Sequence, residues 1–218
     1  MRIVLVALWC LAALPAFGQP IRGDSSEAGL QFFVVGAKHY SFEGGASARN
    51  DGGLGMGAFI ARNLNDYFSI GLEGQVAAWD YRASVAPGAS NTGTGFDTTG
   101  SMETAAVRVN GTWNLLSRPW TPFLTAGAGA IFLDTNLDSA APANACWIYP
   151  WYGQVCGAEV PRGTLTRFTY TAGLGLRADL LGKQGFMRAY FGGEWIAFSE
   201  ATSTVGYVQA RLDFGLQF

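Results

Sequence analysis

Charge is scarce in this chain: 14 basic and 16 acidic residues among 218, a net of −2, with a single histidine. No basic stripe or cluster stands out, which excludes a nucleic-acid partner on electrostatic grounds. Beyond the first eighteen residues there is also no run of about 18 apolar residues, so no helix of the mature chain can span a bilayer. Closely spaced glycines such as Gly127 and Gly129 occur inside alternating segments and lack the strand–turn–helix setting of a dinucleotide site. If the chain lives in a membrane it must do so as a closed barrel, because no other strand arrangement satisfies every backbone hydrogen bond in lipid.

The first residues read as a leader. Arg2 supplies a basic start, residues 3–17 an apolar core, and Ala16 and Gly18 the small residues a signal peptidase reads, which places cleavage before Gln19. Cys10 lies inside that core behind Trp9, where a lipobox needs a small residue, so it is expected to leave with the leader. Three parts are expected: a signal peptide over 1–18, a short segment over 19–27, and a barrel over 28–218. Loss of Arg2 leaves 13 basic and 16 acidic residues, a net near −3.

Glycine and aromatics are abundant, with 30 Gly and 14% Phe, Trp and Tyr. Apolar residues recur at every second position, the period of a strand with unlike faces. Phe68, Ile70, Leu72, Val76 and Ala78 alternate with Ser69, Gly71, Glu73 and Gln75; Leu124, Ala126, Ala128, Ala130 and Phe132 alternate with Thr125, Gly127 and Gly129. Similar segments fall near 54–60, 107–113, 167–177, 187–195 and 208–218, and a less regular one near 30–41, where Phe32 to Val35 are all apolar. Short polar connections are expected near 63–66, 116–121 and 179–185, and long ones near 42–51, 80–101 and 134–163; a fourth loop, near 198–203, is short. Such alternation suits turns on one side of a membrane and loops on the other. Apart from Pro15 in the leader, every proline falls outside the expected strands or, at Pro122, at a strand start, as a residue without an N–H requires.

A soluble sandwich would also show period two, but its polar face should be rich in Lys and Glu. Here that face is Gly, Thr, Asn and isolated charges, which suits a narrow lumen. The expected fold is all-β, an eight-stranded antiparallel up-and-down transmembrane β-barrel, with Phe68, Trp113, Phe132, Phe168 and Trp195 at the ends of its apolar face as interfacial girdles.

The last eleven residues, VQARLDFGLQF, place Leu212, Phe214, Leu216 and the terminal Phe218 on one face, and resemble the sorting signal that outer-membrane proteins present to the barrel assembly machinery. PFLTAGAGAIF (122–132) and TAGLGLRADL (171–180) resemble strands of small eight-stranded barrels, the families of the outer membrane protein A transmembrane domain and the opacity proteins. The resemblance implies a bacterial outer-membrane location with extracellular loops. It also implies contact with outer-membrane lipid and lipopolysaccharide, and assembly by the barrel machinery. No chain follows the eighth strand, so the peptidoglycan-binding domain of larger members is not expected.

Parity puts Glu73, Arg108, Arg167, Arg177, Arg188, Glu194, Arg211 and Asp213 in the lumen. Glu73 with Arg108, and Glu194 with Arg211, are expected as ion pairs. The set either plugs the barrel or lines a narrow pore that favours anions, with five Arg against three acids. Cys146 and Cys156 bracket CWIYPWYGQVC and, in an exported chain, are expected to form a disulfide. Without a histidine nearby they do not make a metal site. Between them Trp147, Tyr149, Trp151 and Tyr152 read either as a recognition surface or as a cluster packed on the rim or headgroups. His39 and Ser41 sit two apart, as in an outer-membrane lipid A deacylase, with Glu43 in phase; their expected direction is inward, and a chance pairing is the stronger reading. The expectation is a non-enzymatic barrel without cofactor or metal, displaying loops for adhesion, recognition or envelope integrity toward an unknown extracellular ligand. A narrow solute channel is the alternative, and a lipid-modifying enzyme the third.

Overall fold

A computed structural model describes residues 22–41, 46–85, 95–137, 146–149, 153–156, 165–180, 184–197 and 205–218. The leader, its cleavage point, Glu43, Trp151, Tyr152 and most of the long connections lie outside the described residues. The strands are β1 (Ser26–Val35), β2 (Lys38–Ser41), β3 (Ala46–Asn63), β4 (Phe68–Val85), β5 (Phe96–Asn114), β6 (Trp120–Leu137), β7 (Cys146–Tyr149), β8 (Gly153–Cys156), β9 (Leu165–Asp179), β10 (Gly185–Ile196) and β11 (Val205–Gln217).

All neighbours pair antiparallel, and β1 pairs with both β11 and β3, so the sheet closes on itself. With β2 continuing β1, the wall is an eight-stranded up-and-down barrel. Going once round the wall from Ser26, the register passes Arg62, Ile70, Gly111, Ala126, Ala172, Gly193 and Val208 and reaches Gly36, ten residues further along the chain and just past the end of β1. That stagger fixes the strand tilt and leaves a lumen only wide enough for side chains.

The expected parity is observed over 54–60 of β3, in β4 to β6 and in β9 to β11. The irregular first strand resolves as Glu27, Gln31, Phe33 and Val35 inward with Leu30, Phe32 and Val34 outward. Two findings correct the expectations. The strands run further on the loop side than polarity suggested, β4 to Val85, β5 from Phe96 and β6 to Leu137, because polar residues can lie on a strand's outer face once it stands in water. And β3 carries a bulge between Asn50 and Gly53, with Gly52 at φ 83°, a conformation that favours glycine. Opposite it, Gly36 and Ala37 interrupt β1 and β2. The parity flips there, so Tyr40 faces inward and His39 outward, against the inward direction expected for His39.

Candidate functional site

The outer face is uncharged over a continuous belt. Outward positions begin at the turn end with Phe68, Trp113, Trp120 and Phe218 and run to Ala78, Ala105, Phe132, Phe168, Trp195 and Val208. Among the described residues, no Asp, Glu, Lys or Arg faces outward between these limits. Aromatic rings cluster at both rims: Phe68 stacks on Trp113 at 5.8 Å, and Tyr170 on Trp195 at 5.5 Å. Charge returns immediately beyond, with Arg62 at the turn end and Asp80, Glu103 and Asp134 at the loop end. Glu103 and Asp134 are direct register partners, and opposed carboxylates are tolerable where water screens them.

The lumen has the opposite polarity in its turn-side part. Seven of the eight charges assigned to it (Glu73, Arg108, Arg177, Arg188, Glu194, Arg211 and Asp213) are buried there. Arg167 also faces inward, but it is half-buried and pairs in register with Ile131, nearer the loop end. The expected pair of Glu73 and Arg108 forms, at 3.0 Å across one register step. The expected pair of Glu194 and Arg211 does not. In the β10–β11 register Glu194 lies opposite Tyr207, and Arg211 opposite Tyr190, so the two are staggered by four residues. Glu194 instead takes Arg108 at 2.5 Å, while Arg211 reaches Glu73 at 3.1 Å and Asp213 at 2.9 Å.

The result is a chain of alternating sign, Glu194–Arg108–Glu73–Arg211–Asp213–Arg188, completed by the 3.1 Å contact of Arg188 with Asp213. Gln31 donates to Glu73 and accepts from Gln75, whose carbonyl in turn accepts from Arg108. Above, the Tyr207 and Thr169 hydroxyls donate to Glu194 at 2.6 and 2.8 Å. A second chain, Glu27–Arg177–Asp179–Arg22, lies nearer the turns. The Phe186 ring joins the two, with the Arg177 guanidinium 4.2 Å and the Arg188 guanidinium 5.2 Å from its centroid.

Sequence reasoning missed Arg22, Glu27 and Asp179. Glu27 is in phase with Gln31, but the apolar run from Phe32 to Val35 hid the phase; Asp179 read as a turn, and Arg22 precedes any periodic segment. Their inclusion narrows the expected excess of Arg: counted with Arg167, the inward set holds six Arg and five carboxylates, and the two buried chains hold five of each.

Toward the loops the lumen becomes apolar. Phe33, Val35, Trp79, Met102, Ile131, Leu133 and Ile196 fill it, each at most 6% exposed. Glycines let the lumen side chains approach the wall: a Cβ on Gly55 would collide with the Phe33 ring in the apolar part, and one on Gly127 with the Asn110 side chain in the polar part. A cavity beside Glu73, Asn110, Arg188 and Arg211 has a volume of about 20 Å³, room for about one water.

The remaining candidates are further out. His39 is exposed on β2 with Arg49 as its register partner, so it does not face the lumen. β7 and β8 form a separate two-stranded hairpin with Cys146 opposite Cys156 and Trp147 opposite Val155; Tyr149 closes it against Gly153. Leu212, Phe214 and Leu216 face outward on β11, ahead of the exposed Phe218. Among the described residues no group of His, Cys, Asp and Glu could hold a metal ion.

No family model matches the chain, and no curated protein matches it. Among solved structures, the outer membrane protein OprG from Pseudomonas aeruginosa aligns at 11% identity and a TM-score of 0.49, covering 91% of this chain and 99% of that one. Ail, the attachment invasion locus protein of Yersinia pestis, aligns at 11% identity and a TM-score of 0.48, covering 90% and 99%. Neisserial surface protein A aligns at 13% identity and a TM-score of 0.46, covering 88% and 95%. The barrel architecture of this chain rests on its own strand register, and no activity is carried over from these proteins.

Proposed function

We propose that the protein is a non-enzymatic barrel of the bacterial outer membrane, with a closed lumen, that works through the loops and extended sheet it displays outside the cell. The observation that carries the membrane reading is the inverted polarity: a charge-free belt outside and buried ion chains inside. A soluble barrel would reverse both, whereas lipid demands the first and a lumen sealed from lipid permits the second. The packing of the lumen supports display over conduction, since large buried apolar side chains toward the loops stack on a paired ion network toward the turns and occupy much of the space a solute would need. Activity then falls to the loop side, where the strands outrun the belt and the Cys146–Cys156 hairpin carries Trp147 and Tyr149.

The test has two arms. Purified protein in planar bilayers should show no unitary conductance steps; regular steps would establish the channel reading instead. A pull-down with folded barrel, intact or lacking residues 138–164, should recover an extracellular partner only with the intact form. Recovery of the same partner by both forms would move recognition away from that loop.

A further inference from the structure

Arg22 is outside every strand, yet it is 1% exposed. Its guanidinium lies across the turn-side end of the lumen and touches the end of β9, the β5–β6 turn and, through Nη1 to the Asp66 carbonyl at 3.5 Å, the β3–β4 turn. Nε and Nη2 donate to the Asp179 carboxylate at 2.9 and 2.6 Å, at the end of β9. Nη1 donates to the Leu116 carbonyl at 3.2 Å and Nη2 to the Arg118 carbonyl, both in the β5–β6 turn. The backbone is fastened separately: the N–H groups of Arg22 and Gly23 both donate to one oxygen of Asp66, in the β3–β4 turn, at 3.0 and 3.1 Å.

The next residues complete the fastening. Asp24 takes φ 58°, turning the chain back so that the Ser25 amide and hydroxyl donate to the Arg22 carbonyl. The Asn63 amide and side chain then donate to Ser25, at 2.9 Å each. A fork of planar donors can reach a carboxylate and two carbonyls at once, which a point charge such as Lys cannot. Behind it, Asp179 also accepts from Arg177 at 2.7 Å, so this one contact joins the segment to the inner ion chain.

We propose that residues 22–25 are a strap that seals the turn-side mouth of the lumen, with the Arg22 guanidinium as its bolt, and that this strap keeps solvent on that side away from the buried ions. The strap can be made only after the turns that carry Asp66, Leu116 and Asp179 have come together, so it reports a finished barrel. This inference concerns the turn-side end and is independent of whether the loops bind a partner.

Ser69 supplies the probe, since it is buried and faces inward one residue above the β3–β4 turn. With Cys146 and Cys156 replaced by Ser, Ser69→Cys in the folded barrel is treated with a hydrophilic maleimide. Labelling should be slow with Arg22 present and about tenfold or more faster in Arg22→Ala, as expected when a local closure is removed. Arg22→Lys should fall between them. Heat-modifiable migration in gels confirms that each variant is folded; if Arg22→Ala is not, Asp66→Ala, which frees the backbone anchor alone, takes its place. Equal labelling in folded protein with and without the strap, or rapid labelling with Arg22 intact, would overturn the proposal.

Discussion

Two stretches of the same wall are built to opposite rules. Up to Ala78 on β4, outward residues are apolar and the lumen at that end holds Glu73, Arg108 and Arg211; from Asp80 onward, Asp80, Arg82 and Ser84 face out while Tyr81 and Ala83 are buried. On β5 the same change separates Val109 and Val107 from Glu103, Thr99 and Asp97. The strand does not change; its solvent does. In lipid the outer face must be apolar and the inside can take charge, whereas in water the outer face can carry charge and a filled apolar interior is what stabilises the wall. The change therefore marks the proposed outer lipid boundary, and strands of 18 or 19 residues exceed the 9–11 needed to cross.

The largest effect is expected from breaking the buried ion chain at its centre. Glu73→Gln leaves Arg108 and Arg211 facing each other without their shared carboxylate and should cost about 3–5 kcal/mol in urea unfolding in micelles. A cost under about 1 kcal/mol would mean that water reaches these ions and the turn-side lumen is open. In the apolar half, Leu133→Ala should cost about 2–5 kcal/mol by leaving a cavity. If this layer were loosely packed, the loss would be much smaller.

The boundary itself is sharpened by placing one new charge at two heights on β5. Val109→Arg, on the belt, should destabilise by about 2–4 kcal/mol. Thr99→Arg, outward on the same strand but past Glu103, should stay within about 0.5 kcal/mol. Equal costs would abolish the distinction between the two stretches. The smallest effect belongs to the exposed cluster of Arg49, Asp51 and Arg82, where Arg82→Ala should change stability by about 0–1 kcal/mol and less in salt.

The barrel was legible in the sequence because lipid forces strict alternation, and Phe68 to Ala78 or Leu124 to Phe132 state the wall direction residue by residue. Legibility ended where that force ends. Past Ala78 both faces mix polar and apolar residues, so residues 80–101 read as loop although β4 and β5 pair through Val85 and Phe96. The bulge at Asn50–Gly53 read as part of a polar connection rather than as a bulge within a strand, so the parity flip it shares with Gly36 and Ala37 was missed and His39 was misdirected. Lumen charges were recognised one strand at a time, but partners depend on the stagger of the closed sheet. Glu73 and Arg108 are level in register and paired as expected; Glu194 and Arg211 are not, and Glu194 finds Arg108, and Arg211 finds Glu73, across the lumen. Arg22 lies ahead of all periodicity, and only the assembled turns give it a role.

The most direct test of the boundary is a nitroxide scan of the outward positions of β4 in bilayers, from Ile70 through Leu72, Gly74, Val76 and Ala78 to Asp80, Arg82 and Ser84. Relaxation by oxygen should dominate through Ala78, and relaxation by a water-soluble nickel chelate should take over at Asp80 and rise beyond it. Nickel access along the whole strand, or an oxygen maximum beyond Asp80, would contradict the account.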